Sequence, residues 1–260
     1  MNTMTRTGTT PAPPSAWRQA LRPYRAELVA ELRRAWRTPA FAVPSLLFPV
    51  LFYLLFGVLL GRGHAPLYLL ATYCVFGAMA PALFGFGVQL ALDREGGLLT
   101  LKRALPMPPA APLLARLAMA VLFALLVASL LIGVASVLGG VQLHALQVLQ
   151  LLAVAGLAAL PLGAIGLLIG SHVSASAAPA MVNLVYLPLA LLSGLWLPLS
   201  ALPQLFSTMA PLWPTWHLAQ LALPVAGLPS VGSMAGHLLV LLLVTVVALL
   251  LARRRLRRIG

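Results

Sequence analysis

The chain has 260 residues, of which 61% are hydrophobic and only 8% charged, with a mean hydropathy of +1.00. A soluble domain carries about 25% charged residues, whereas here all the positions between Arg116 and Arg253 lack Asp, Glu, Lys and Arg. This excludes a soluble globular fold and predicts an all-α, polytopic integral membrane protein. Seventeen basic residues against four acidic ones give a net charge of +13. The basic residues bunch at segment ends, so they read as topology determinants and not as a nucleic-acid face; membrane lipids are expected partners and nucleic acid is not. Cys74 is the single cysteine and lies in an apolar run, which leaves no disulfide framework or Cys-based metal site.

In chain order, residues 1–15 are Thr- and Pro-rich, and a disordered tail without a cleavable signal peptide is expected there. Residues 16–38 carry a helical apolar stripe. Tyr24, Leu28, Leu32, Ala35 and Trp36 share one face, while Arg22, Arg33, Arg34 and Arg37 lie across it. Pro23 suits a first helical turn and Pro39 ends the pattern. A basic amphipathic helix lying in the membrane interface is predicted, either as a plain anchor or as an element that also touches a cytoplasmic partner.

Residues 39–260 divide into six predicted spans, at about Ala42–Leu60, Pro66–Leu92, Leu113–Leu138, Leu143–Gly170, Pro179–Leu197 and Gly236–Ala252. Between the last two lies an apolar stretch, 198–229, broken by Pro198, Pro203, Pro211, Pro214, Pro224 and Pro229. A short helix at Ser200–Met209 dipping back toward the bilayer is expected there, with Trp196, Trp213 and Trp216 at headgroup level. With the N-terminus cytoplasmic, sixteen of the seventeen basic residues fall on one side and only Arg62 on the other, which predicts both termini inside.

The absences narrow the chemistry. Glu27, Glu31, Asp93 and Glu95 all precede or follow spans, whereas ion-coupled carriers usually need intramembrane carboxylates. No Gly-x-Ser-x-Gly context surrounds a serine such as Ser193. The only lysine, Lys102, follows Leu101, so the chain has no Gly-Lys-Ser/Thr phosphate loop and is not expected to bind ATP that way. His64, His144, His172, His217 and His237 include no His-x-x-x-His pair. Neither a cofactor nor a catalytic residue is expected on this chain.

The loop 93–109 is unusual for a connector. Asp93-Arg94-Glu95 ends a span, Gly96-Gly97 frees the backbone for a turn, and a short helix over about Leu98–Leu105 follows, stopped by prolines. Leu98, Leu99 and Leu101 beside Lys102 and Arg103 would form an apolar knob for another protein.

Glu95-Gly96-Gly97-Leu98-Leu99 through Arg103-Ala104-Leu105-Pro106-Met107-Pro108-Pro109 resembles the E-x-G-T-L-x-x-L-x-x-x-P loop of ABC-2 type exporter permeases, with Gly97 where that family commonly has Thr. Phe48-Pro49-Val50-Leu51-Phe52-Tyr53-Leu54-Leu55-Phe56-Gly57 looks like the family's first span. Ser193-Gly194-Leu195-Trp196-Leu197-Pro198 through Pro203 is similar to its S-G-x-x-x-P-x-x-x-L-P signature, and Pro211-Leu212-Trp213-Pro214 resembles the P-L-x-P that follows.

The resemblance implies a permease that pairs with a second permease protomer, as a homodimer, and is powered by a separate ABC ATP-binding subunit holding ATP and Mg. It would be an exporter in the bacterial inner membrane. By that resemblance Glu95, Leu98, Leu99, Leu101, Lys102 and Arg103 dock the ATPase. Tyr24, Leu28, Leu32, Arg33, Arg34 and Trp36 form the interfacial helix alongside. Trp196, Pro198, Pro203, Phe206, Pro211, Trp213 and Pro214 belong to the outer re-entrant segment. The spans lack charge and carry small-residue patches (Gly77, Gly85, Gly87, Gly163, Gly166, Gly170). An uncharged lining suits a hydrophobic or amphiphilic cargo, although the glycines equally suit close helix packing. Two other classes stay open: a stand-alone secondary transporter or channel, and a membrane-embedded enzyme or assembly factor.

Overall fold

The computed structural model describes residues 16–105, 107–108 and 110–259, with side chains from residue 21 onward except those of Arg103 and Ile259. The tail expected at 1–15 lies outside the described residues. The fold is all-helical, as the composition predicts, with no strand among the described residues.

Five helical stretches are long and apolar enough to cross a bilayer: Pro39–Leu59, Ala65–Glu95, Ala111–Val137, Ala145–His172 and Met234–Arg258. In element terms, α1 (Ala16–Arg37) leads into α2 (Pro39–Phe52), which continues as wider π-type turns over Tyr53–Leu59. Next come α3 (Ala65–Glu95), the short α4 (Leu98–Ala104), α5 (Ala111–Val137) and α6 (Ala145–His172). The chain closes with α7 (Ala178–Leu191), α8 (Gln204–Met209), α9 (Pro214–Val225) and α10 (Met234–Ile259).

Most boundaries follow the breakers read from the sequence. Pro39, Pro66, Pro112 and Pro179 sit in first helical turns, where a missing N–H costs nothing. The π-type turns begin at Tyr53, whose fully buried ring occupies the space beside Gly57; a Cβ there would stand 2.8 Å from the ring.

The fifth expected span differs most. The sequence predicts one continuous span over Pro179–Leu197, yet α7 stops at Leu191 after 14 residues. The chain turns at Gly194, whose φ of +78° is a left-handed conformation that favours glycine. Fourteen residues rise about 21 Å, less than the roughly 30 Å of hydrocarbon.

The core forms around α3. In its apolar window 78% of residues are buried, against 22% for Pro39–Leu59 and 17% for α10, so α3 is the post and those two stretches lie at the rim. Its closest partner is α6, and glycine is the reason. A Cβ on Gly170 would stand 2.2 Å from the Gly87 carbonyl oxygen, and one on Gly166 would stand 2.7 Å from that of Leu83. The two backbones therefore touch along one seam, the arrangement that small residues permit between membrane helices. Gly77 and Gly163 make similar room for Val127 and Phe86, whereas Gly85 faces open space.

Candidate functional site

Both α1 and α4 meet the end of α3 at one end of the bundle, together with the α6–α7 turn and the C-terminal end of α10. This basic end holds nearly all the protein's charge.

The last residues of α3 anchor it. Arg94 donates to the carbonyl oxygens of Gly170 (3.2 Å), Ser171 (2.7 Å) and Val173 (2.5 Å). It thereby satisfies carbonyls that the end of α6 leaves without intrahelical donors. Beside it Asp93 is buried and pairs closely with Arg116, one turn inside α5, and with Arg34 of α1 at 3.6 Å. Glu31 of α1 accepts from Arg34 at 3.3 Å and from Arg116 at 3.4 Å. The result is a ring of two carboxylates and two guanidiniums that closes α1 onto α3 and α5.

From this anchor α4 hangs on a Gly96-Gly97 turn, with Gly97 at φ +73°. A threonine there, as the motif usually has, would be strained. Lys102 reaches back to donate to Glu27 of α1 at 2.6 Å, both side chains being largely buried. Leu99 packs against the core. The pair ties α4 to α1, and the leucine ties it to the core.

The six docking residues read from the sequence therefore separate. Glu95 and Leu101 stay exposed, Leu101 at 59%. Leu98 is half-buried, and Leu99 and Lys102 are engaged inward. The side chain of Arg103 lies outside the described residues. Leu105, the extended residue that follows α4, is 49% exposed. Glu95 ends α3 and, among the described residues, forms an ion pair only with Arg94, at 4.0 Å; α4 has no side-chain cap. The bracing residues Glu27, Glu31, Asp93, Arg94 and Arg116 were not among the expected site residues. Their signal was available in the confinement of every acid to this end and in an arginine one turn inside a span.

The stripe on α1 exists, and it points outward. Leu28, Leu32 and Trp36 are exposed with Leu21 and Val29, Trp36 at 88%, while Glu27, Glu31 and Arg34 face the bundle. Tyr24 is half-buried and Arg33 is exposed. The outward surface of α1 thus combines apolar side chains with the exposed Arg22, Arg25, Arg33 and Arg37, a mixture that suits the boundary between lipid and water.

At the opposite end, the stretch 198–229 is more structured than expected. Leu199–Ala201 is a single 3-10 turn, Pro203 precedes α8, Ala210–Leu212 is another 3-10 turn, and Pro214 opens α9. The sequence reading placed one short helix at Ser200–Met209 and missed α9, nine of whose 12 residues are buried. Tyr68 donates to the Gly194 carbonyl at 2.9 Å and Tyr73 to that of Trp196 at 3.1 Å, fixing the Ser193-Gly194 turn to α3.

Trp196 stacks on Phe52 and meets Phe76 edge-on, and Trp216 is buried against His217 and His237. These two rings pack against other side chains of the bundle. The indole N–H groups of Trp196 and Trp213 find no acceptor among the described residues. Pro198 and Phe206 are half-buried and Pro203 and Pro211 exposed. His217 and His237 meet Nδ1 to Nδ1 at 2.8 Å, with their Nε2 atoms on the carbonyls of Pro211 and Val231.

No group of three or more His, Cys, Asp or Glu able to hold a metal occurs among the described residues. The geometry is that of a braced, membrane-embedded bundle with an apolar knob at its charged end. The model of the ABC-2 type transporter family matches residues 24–225, from the inward face of α1 through the end of α9. A Bacillus subtilis (strain 168) protein named "Putative transport permease YvfS" is 25% identical over 199 residues, covering 73% of this chain and 79% of that protein. With the matched residues spanning more than half of the sequence, the chain belongs to the ABC-2 type transporter family and is a multi-pass transport permease.

Proposed function

We propose that the protein is the membrane subunit of an ATP-driven exporter, moving a hydrophobic or amphiphilic substrate outward across the bacterial inner membrane. Both termini are cytoplasmic in this reading. ATP and Mg belong to a separate ABC ATP-binding subunit that seats on α4. The observation that carries the reading is the mounting of α4: Leu101 is exposed on it and Leu105 just after it, and the helix is tied through Lys102 and Glu27 to α1. Such a knob transmits displacement because its far side is fixed. The substrate class is supported by a groove beside α2, lined by Pro44, Phe48, Phe84, Asn183 and Tyr186, that offers apolar surface with few polar groups.

The test is co-purification. With the cognate ATP-binding subunit co-expressed, Leu101→Ala/Leu105→Ala is expected to insert normally and to lose the partner and transport together. Truncating two leucines seated in a protein groove costs several kcal/mol, given about 2–5 kcal/mol for each fully buried one. Wild-type transport by that variant at equal expression reduces α4 to a connector.

A further inference from the structure

The last turns of α10 carry five arginines, and they do not all face the same surroundings. Arg254, Arg255 and Arg258 line a hollow of about 350 Å³ together with His172 at the end of α6. Its remaining walls are Leu168 and Leu251, which lie toward the apolar part of each helix. No carboxylate borders it among the described residues. Among the described residues, Glu27, Glu31 and Asp93 are engaged in the ion pairs around α1 and Glu95 meets Arg94. No acidic partner lies within ion-pair distance of these three guanidiniums among the described residues.

Positive charges at i and i+4 on a helix repel, so the arrangement is uncompensated without an anion. Guanidiniums recognise phosphate through paired N–H groups. The two leucines add an apolar wall on the side where an acyl chain would run. The His172 Nδ1 is engaged by its own helix, at 3.0 Å from the Leu168 carbonyl oxygen, which leaves Nε2 on the outer side of the ring.

We propose that this hollow binds the phosphate headgroup of an anionic phospholipid, with Arg254, Arg255 and Arg258 on the phosphate and Leu168 and Leu251 against the first carbons of the chain. Basic hollows between membrane helices at a positively charged end are suited to this chemistry. The proposal rests on the membrane character of the chain and not on coupling to an ATPase. It gives α10, whose span is mostly exposed, a lipid tether to α6.

The test uses the full-length protein in detergent, with native mass spectrometry reading retained lipid after addition of phosphatidylglycerol or phosphatidylcholine. Wild type is expected to prefer phosphatidylglycerol by roughly tenfold or more. Arg255→Gln/Arg258→Gln is expected to abolish the preference, while Arg253→Gln/Arg257→Gln, with the same charge loss outside the hollow, retains it. Leu168→Trp fills the hollow without changing charge and is expected to lose the lipid while keeping the wild-type melting temperature, which separates binding from misfolding.

Equal losses in the two arginine pairs, or equal binding of both lipids by wild type, overturn the proposal. Displacement of the lipid by millimolar inorganic phosphate alone assigns the hollow to free phosphate and overturns the lipid part.

Discussion

Arg116 is the residue on which the charged end turns. It is 5% exposed and answers both Asp93 and Glu31, two carboxylates drawn from different helices. A buried ion pair adds little beyond an apolar replacement of both partners, but removing one partner leaves a charge without compensation, at a cost of about 3–5 kcal/mol. Arg116→Met is therefore expected to lower the melting temperature in detergent sharply. Arg116→Met/Asp93→Leu is expected to recover part of the loss, a recovery that a purely steric role for Arg116 would not give.

The histidine pair makes a second prediction at the same scale. Two nitrogens at 2.8 Å accommodate one proton between them and not two. Burial and the facing His237 hold the His217 pKa below its ordinary value of 6.5, against a partial opposing effect of the Pro211 carbonyl. The surroundings that meet the pair are Trp216 and backbone carbonyls, with no charged side chain among its hydrogen-bond partners. The depressed pKa means that below pH 6.5 the unfolded chain binds more protons than the folded one. Stability is complete above that pH and falls as the pH drops from about 6.5 toward the folded-state value. Melting temperatures between pH 7.5 and 5 are expected to decline, and His217→Asn is expected to flatten the decline.

Among the elements, legibility tracks how locally the cause acts. The long spans could be read because apolar runs end at nearby prolines, glycines and charges, as at Pro39 and at Asp93-Arg94-Glu95. The stripe on α1 was legible, and the pairing of its other face with α3 and α5 was not. Periodicity identifies a face, but whether that face meets protein or lipid depends on Asp93 and Arg116, which arrive from other helices. The early end of α7 and the existence of α9 were hidden for a related reason. Pro214 and Pro224 read as breakers, yet Pro214 occupies a first turn and Pro224 the last one, and burial among α3, α6 and α10 holds the helix between them. At the candidate site the exposure of Leu101 was legible, whereas Leu98 and Leu99 read as exposed and are partly buried, Leu105 was not singled out, and the ion pair of Lys102 with Glu27 depends on a distant helix.

The glycines give the element-scale prediction, since their sequence context was equally consistent with a lining or a seam. Gly170→Ala places a Cβ 2.2 Å from the Gly87 carbonyl oxygen, backbone that cannot move without separating α3 from α6. Overpacking of this kind costs about 1–3 kcal/mol or more. Gly85→Ala meets nothing within 4 Å and improves helix propensity by up to about 1 kcal/mol. Thermal unfolding in one detergent is expected to rank Gly85→Ala at or above wild type and Gly170→Ala clearly below it.

At the scale of the whole molecule, the distribution of exposed apolar surface bears on assembly. A lone copy in a bilayer exposes leucines to lipid on all sides at no cost, so exposure alone selects no interface. Two features single out the α2–α7 side. There α7 is too short to complete a span by itself, and Phe48, Leu51, Leu184 and Leu187 project beside a groove that Asn183 and Tyr186 line. A second protomer placed there would cover the truncated helix and enclose the groove along a two-fold axis, the symmetry a homodimer requires. In a Cys74→Ala background, Phe48→Cys and Leu184→Cys are each expected to give protomer–protomer cross-links in native membranes. Leu239→Cys, 67% exposed on α10, is expected to give none. Cys74 is fully buried, so its removal leaves the outer faces unchanged. Cross-linking at 239 with equal yield, or at none of the three positions, would place the protomer contact elsewhere and leave the groove open to lipid.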